Sequence, residues 1–152
     1  MMDIGSKRGF PAGTLSNFSP HPFVIDGVEC ASMEGFLQSL KFKNPGIQRA
    51  VCKLVGFKAK SRGSGKNWQT KQELYWQDEV YPRDSQEYQD LLDRAYLSMF
   101  ENKKFRNALR ATGNTTLTHA IGKKNKSETV LTRTEFCGRL MWLRDKLENE
   151  VK

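Results

Sequence analysis

Glu34, Gln38 and Lys41 recur at i, i+4 and i+7 in a stretch whose apolar members, Met33, Phe36, Leu37 and Leu40, also fall at helical spacing. At about 100° per residue the apolar set covers about 100° of a helix, and the three polar residues form a neighbouring stripe about 60° wide. A carboxylate, an amide and an ammonium aligned there can activate water, orient a polar substrate and balance charge. Ser32 stands at the N-cap, which puts Glu34 in the first turn, where the helix dipole favours the ionised carboxylate. Lys41 favours the same form and burial opposes it, so Glu34 is read as an anion. The competing reading is a charged pair on a solvated face.

The surroundings of that stripe are basic. The chain has 25 Lys and Arg against 17 Asp and Glu, and between Glu34 and Glu73 there is no acid at all. Lys41, Lys43, Arg49, Lys53, Lys58, Lys60, Arg62, Lys66 and Lys71 fill that interval, a distribution that attracts nucleic acid, nucleotide or pyrophosphate, or else only solvates a face. Lys58 to Asn67 reads as a glycine-containing basic loop in which Arg62 and Lys66 can hold phosphates. It is not a P-loop, because Lys60 and Asn67 stand where that motif needs Gly and Ser or Thr. His21 and His119 are far apart, Cys30, Cys52 and Cys137 show no zinc or redox spacing, and no nucleophile elbow occurs. The expectation is an activity without metal or cofactor, with the cysteines as reduced, mostly buried thiols.

At 152 residues with 11% aromatic content, the chain can bury a sizeable core and is read as one domain over residues 1–152. It has no apolar run near the length of a membrane span and no signal-like start, which reads as a cytoplasmic protein with no membrane partner. The expected fold is mainly α, multihelical, with a small hairpin at Phe23 to Cys30 turning on Asp26-Gly27 and a short strand near 115–121. Residues 1–14 read as irregular. Helices are expected from Met33, from Pro45 to a stop at Gly56, over Trp68 to Val80, from Asp84 through Met99, and up to Thr112-Gly113. A last helix follows the Thr132-x-x-Glu135 capping box, with Leu131 and Phe136 as its staple.

Several of these pieces, in order, resemble a known family. Leu15-Ser16-Asn17-Phe18 before the hairpin, then Ser32-Met33-Glu34, Gln38 and Lys41-Phe42 on the helix, are similar to the amino-terminal signature of the NADAR superfamily, also called YbiA-like. Asn67-Trp68, Met99-Phe100 with Asn102, Leu109 to Gly113, and Leu140-Met141 with Leu143-Arg144 extend the likeness from about residue 14 to 147. The chain departs from it before the last helix, where Ile121 to Leu131 replaces an Asp and a Trp-Gly pair, and at about 77–89, which looks like an insertion.

The resemblance implies a hydrolase that cleaves a ribosyl–base N-glycosidic bond. Its substrate would be ADP-ribosylated guanine in nucleic acid or nucleotide, or a phosphoribosyl-amine intermediate of riboflavin synthesis. Such chemistry builds positive charge on the sugar, so Glu34 would stabilise it and activate water, with Lys41 helping the base to leave. Asn17 and Gln38 would hydrogen-bond ribose or base, and the family has a His near His119. Phe18 and Trp68 either stack a base or fill the core, and Asn17 either binds or shapes a turn. The alternative function is a non-catalytic module that binds nucleic acid or ADP-ribose through the basic 41–71 segment.

Overall fold

Asp26 and Gly27 both adopt positive φ, 50° and 77°, and this tight turn joins β2 (Phe23–Ile25) to β3 (Val28–Cys30) in the register Phe23↔Cys30 and Ile25↔Val28. The computed structural model describes the backbone of residues 1–151 and the side chains of residues 1–150. After the hairpin come α1 (Met33–Ser39), α2 (Pro45–Cys52) and α3 (Gly56–Gly63). A second hairpin follows, β4 (Glu73–Trp76) with β5 (Glu79–Pro82), and then α4 (Gln86–Met99), α5 (Lys103–Ala111) and α6 (Arg133–Val151). Two-residue strands β1 (Met2–Asp3) and β6 (Leu117–Thr118) pair in parallel, joining the start of the chain to the segment before α6.

Six helices and three two-stranded sheets make up 43% and 12% of the chain, so the expectation of a mainly α fold holds only roughly. Four local expectations are corrected. Residues 68–80 hold no helix: Leu74 and Trp76 alternate inward with Glu73 and Tyr75, the period of a strand. Gln77 turns that hairpin at φ 54°, held by its N–H on Gln48 Oε1 (2.8 Å) and its Nε2 on the Asp26 carbonyl (3.2 Å). The second helix stops at Cys52, and Gly56, with φ 57°, opens α3 where a loop is expected. The stretch 1–14 contains β1, and the later strand spans only Leu117–Thr118. The helix expected from Asp84 is capped by Ser85, whose Oγ accepts from the Tyr88 N–H.

The core surrounds α1. Phe36 meets Phe23 and Trp76 edge-on, at 6.2 and 5.0 Å between centroids, and Leu37 and Leu40 are buried beside it. Each such side chain contributes about 1.5–3 kcal/mol when fully buried. Buried Gln48 pins β4 to this centre by donating to the Phe42 and Tyr75 carbonyls. Cys30, Cys52 and Cys137 are buried and unbridged. No described helix is long and apolar enough to cross a membrane.

The capping box of α6 forms as expected, with Thr132 N–H on Glu135 Oε1 (2.7 Å) and Glu135 N–H on Thr132 Oγ1 (3.1 Å). The same carboxylate takes both terminal nitrogens of Arg83, a fully buried side chain, and an amide from Gln89. Burial alone raises the Glu135 pKa, but these donors outweigh it and hold the carboxyl below its ordinary value. The stability it contributes is therefore complete above the ordinary carboxylate pKa and disappears as pH falls through the lowered folded one. Glu135→Ala, which strands a buried guanidinium, is expected to lose about 3–5 kcal/mol near pH 7 in denaturant unfolding, and much less near pH 3.

Candidate active site

Helix α1 is fixed at its start by Ser32, whose Oγ accepts from the Gly35 N–H (3.1 Å) and donates to the Leu54 carbonyl (2.9 Å). The Glu34 N–H donates to the Asn17 carbonyl at 3.1 Å, which ties the loop before the hairpin to the same turn. Gly35 lies so close to the chain after α2 that an added Cβ would stand 2.6 Å from the Leu54 oxygen. On the adjoining flank α3 buries Gly56, Ala59 and Gly63, and a methyl group at Gly63 would overlap the Gln38 amide of α1.

Under that cover lies the expected stripe. Gln38 Nε2 donates to Glu34 Oε1 at 2.9 Å, and Lys41 Nζ reaches the Gly63 carbonyl at 3.5 Å. Glu34 and Lys41 are half-buried, and Gln38 is 7% exposed with its Oε1 unpartnered among protein atoms. Burial pushes the Glu34 pKa up, opposed by the Gln38 hydrogen bond and by the neighbouring Lys41, Lys60 and His119, and burial prevails. Burial thus works against the anion expected at Glu34, while the Gln38 bond and the neighbouring cations favour it. Burial likewise lowers the Lys41 pKa, with Glu34 opposing and Lys123 and Lys60 reinforcing it.

His119 reaches this neighbourhood from the far end of the chain. Its Nδ1 bonds the Ile4 carbonyl at 2.7 Å, and its ring meets Phe136 edge-on at 5.1 Å. Because a carbonyl only accepts, Nδ1 carries the proton in the neutral ring and Nε2 is left as the acceptor. Asn17 Oδ1 accepts from the buried Tyr96 hydroxyl at 2.9 Å. Phe18 is half-buried against Gly56. The fold thus gathers Asn17, Glu34, Gln38, Lys41 and His119, with Phe18 beside them at the start of α3.

The remaining selected residues lie apart. Trp68 is 5% exposed within the core, which removes it as a stacking surface. Asn67 is exposed and its Oδ1 accepts from the Thr70 N–H and hydroxyl. Arg62 and Lys66 lie over the Phe42 ring. Lys60, Lys123 and Tyr96 are site neighbours that sequence reasoning did not select. The acid-free interval held a signal for Lys60, but nothing local marked Lys123 or the Tyr96 hydroxyl. A cavity of about 750 Å³ lies elsewhere, between the starts of α4 and α6, and none of the selected residues lines it. Among the described residues no cluster of His, Cys, Asp and Glu is placed to hold a metal ion.

This arrangement of helices and small sheets is that of the YbiA fold. The NMR structure of the E. coli protein YbiA matches 99% of this chain and 88% of its own with a TM-score of 0.63, at 18% identity, a level that speaks for the fold. The chain belongs to the family described as Bacteriophage protein GP30.3, whose profile matches residues 9–145. It is 38% identical over 149 residues to an uncharacterized 17.1 kDa protein in the Gp30-rIII intergenic region of Enterobacteria phage T4, spanning 96% of this chain and 98% of that one.

Two outcomes follow from the geometry. A raised carboxyl pKa makes the folded state lose stability as pH rises from the ordinary carboxylate value to the folded one, and the loss persists above it. Glu34→Gln should therefore melt higher than wild type at pH about 8, with the gain vanishing near pH 3. Gly63→Ala should push α3 off Gln38 and cost about 1–3 kcal/mol in denaturant unfolding.

Proposed function

We propose that the protein is an N-glycosyl hydrolase that removes ADP-ribose from guanine bases, acting at Glu34 without metal or cofactor. The observation that carries this reading is the half-buried Glu34 carboxyl, braced by Gln38 at 2.9 Å and surrounded by Lys41, Lys60 and His119. A carboxyl that burial holds back from ionising gains most when positive charge appears beside it. Departure of a base from ribose creates that charge at the anomeric carbon, so the interaction strengthens toward the transition state. As the C–N bond breaks, water adds its oxygen to the anomeric carbon and Glu34 accepts its proton.

The departing guanine nitrogen needs a proton, and Lys41 is suited to give it because burial makes its ammonium a readier acid. Asn17 and Gln38 would hold ribose hydroxyls, and Gln38 Oε1, buried and unpartnered, is an acceptor ready for one. Phe18 would line the approach. Lys60 and Lys123 would lie against the diphosphate. The NADAR likeness in the sequence and the YbiA-like fold support the reaction class.

Incubating the protein with ADP-ribosylated guanosine and following products by mass spectrometry should show free ADP-ribose and unmodified guanosine. Glu34→Gln should reduce the rate by at least about 100-fold while melting no lower than wild type. Wild-type protein at high concentration that leaves the substrate whole would end the proposal.

A further inference from the structure

Helix α3 sorts its cations onto two flanks. Lys60 stands on the side of Glu34, whereas Arg62, about 160° further round the helix, turns away. The Arg62 guanidinium lies over the Phe42 ring with Cζ 4.5 Å from its centroid, and Lys66 Nζ lies over the same ring at 5.0 Å. Lys43, next to Phe42 in the chain, holds its Nζ 5.4 Å from the Tyr75 centroid. All three cations are exposed, while Phe42 is buried. Among the described residues none of the three is ion-paired. The acid at this patch is Glu73, half-buried, whose carboxylate accepts from the Tyr75 hydroxyl at 3.3 Å.

Ring faces thus hold three unpaired cations in place, and the cations in turn cover those faces. A base has no ring left to stack on here, so what the patch offers a partner is positive charge at fixed spacing. That matches a row of phosphates and carries no sequence preference. We propose that Lys43, Arg62 and Lys66 form an exosite, separate from the Glu34 site, that grips the phosphate backbone of single-stranded nucleic acid. Single-stranded, because a nucleotide reaching the half-buried Glu34 must first leave any duplex stack. Lys41, bonded across Gly63, bridges the two flanks, and the width of α3 between them is about 10 Å, a span of roughly two phosphates along an extended strand. The choice of a single strand and its continuity with the site rest on the hydrolase reading, whereas the grip on phosphates does not.

The test is fluorescence anisotropy of a labelled, unmodified single-stranded oligodeoxynucleotide titrated with protein between about 50 and 200 mM salt. The variant combines Lys43→Gln, Arg62→Gln and Lys66→Gln, which keep much of the stems that cover the rings. Its matched control removes three exposed charges from α5 by Lys103→Gln, Lys104→Gln and Arg110→Gln. The exosite variant should bind at least about tenfold more weakly at low salt, and its slope of log affinity against log salt should be shallower by about 2. The α5 control should keep the wild-type slope. An exosite variant with the wild-type slope, or a control that loses as much, overturns the proposal. Circular dichroism melting checks that both variants fold, and if the triple variant does not, Arg62→Gln alone should show a slope shallower by about 0.7, with an unchanged slope overturning the proposal. The assay reads no turnover, so failure here leaves the hydrolase reading standing, and an inactive protein that still binds leaves the exosite standing.

Discussion

How closely α3 can approach α1 decides nearly everything about the site. Gly63 meets the Gln38 amide with no room for a methyl group, and Gly35, on another side of α1, meets the carbonyls of the chain leading to α3 just as tightly. Two glycines at these close approaches let the helices lie together without a layer of side chains between them. The result is a carboxyl and an amide half-roofed by a second helix rather than open to bulk water. Lys60 and the Lys41 bond to the Gly63 carbonyl follow from the same contact. A bulkier seam would leave the same residues on an ordinary solvated face, worth little to stability or chemistry.

The roof carries an energetic cost, which is visible in its polar groups. Gln38 spends its amide hydrogens on Glu34 and keeps Oε1 buried without a protein partner, a condition that costs about 1–3 kcal/mol. Burial works against Glu34 as an anion and against Lys41 as a cation at once. At Arg83 the buried charge is better met, by the Glu135 carboxylate, the Thr129 carbonyl and the Tyr88 ring face. His21 Nδ1 and Arg139 Nε are also buried without a protein partner, so what distinguishes Gln38 is that its free acceptor lies beside a carboxyl and an ammonium that burial also perturbs.

What the sequence revealed depended on how local each signal was. Asp26-Gly27, Ser32 and the Thr132–Glu135 box specify their turns and caps within four residues, and each forms as expected. The Glu34, Gln38 and Lys41 stripe was legible for the same reason, because helical period alone sets it. The β4–β5 hairpin was hidden because its turn carries no glycine: Gln77 is held at positive φ by Gln48 and Asp26, which are 29 and 51 residues away in the chain. Helix α3 was hidden because Gly63, which reads as a loop former, is there to let it touch α1. The strength of burial's pull on Glu34 was not legible, because the dipole and Lys41 can be seen in one dimension, while burial is a property of the folded whole.

The pairing of β1 with β6 bears on how the molecule is completed as it is made. His119 is oriented by the Ile4 carbonyl, and the neighbouring Ala120 N–H is taken by Asp3, contacts that join residues 115 and 117 positions apart. The Glu34 stripe leaves the ribosome early, whereas the strand and histidine that close its surroundings emerge only when about four-fifths of the chain is out. Until then β1 is an unpaired edge, waiting through the synthesis of everything between. A nascent chain that stalls before residue 117 can carry a folded α1 and α3, yet its site stays open on the side where His119 belongs.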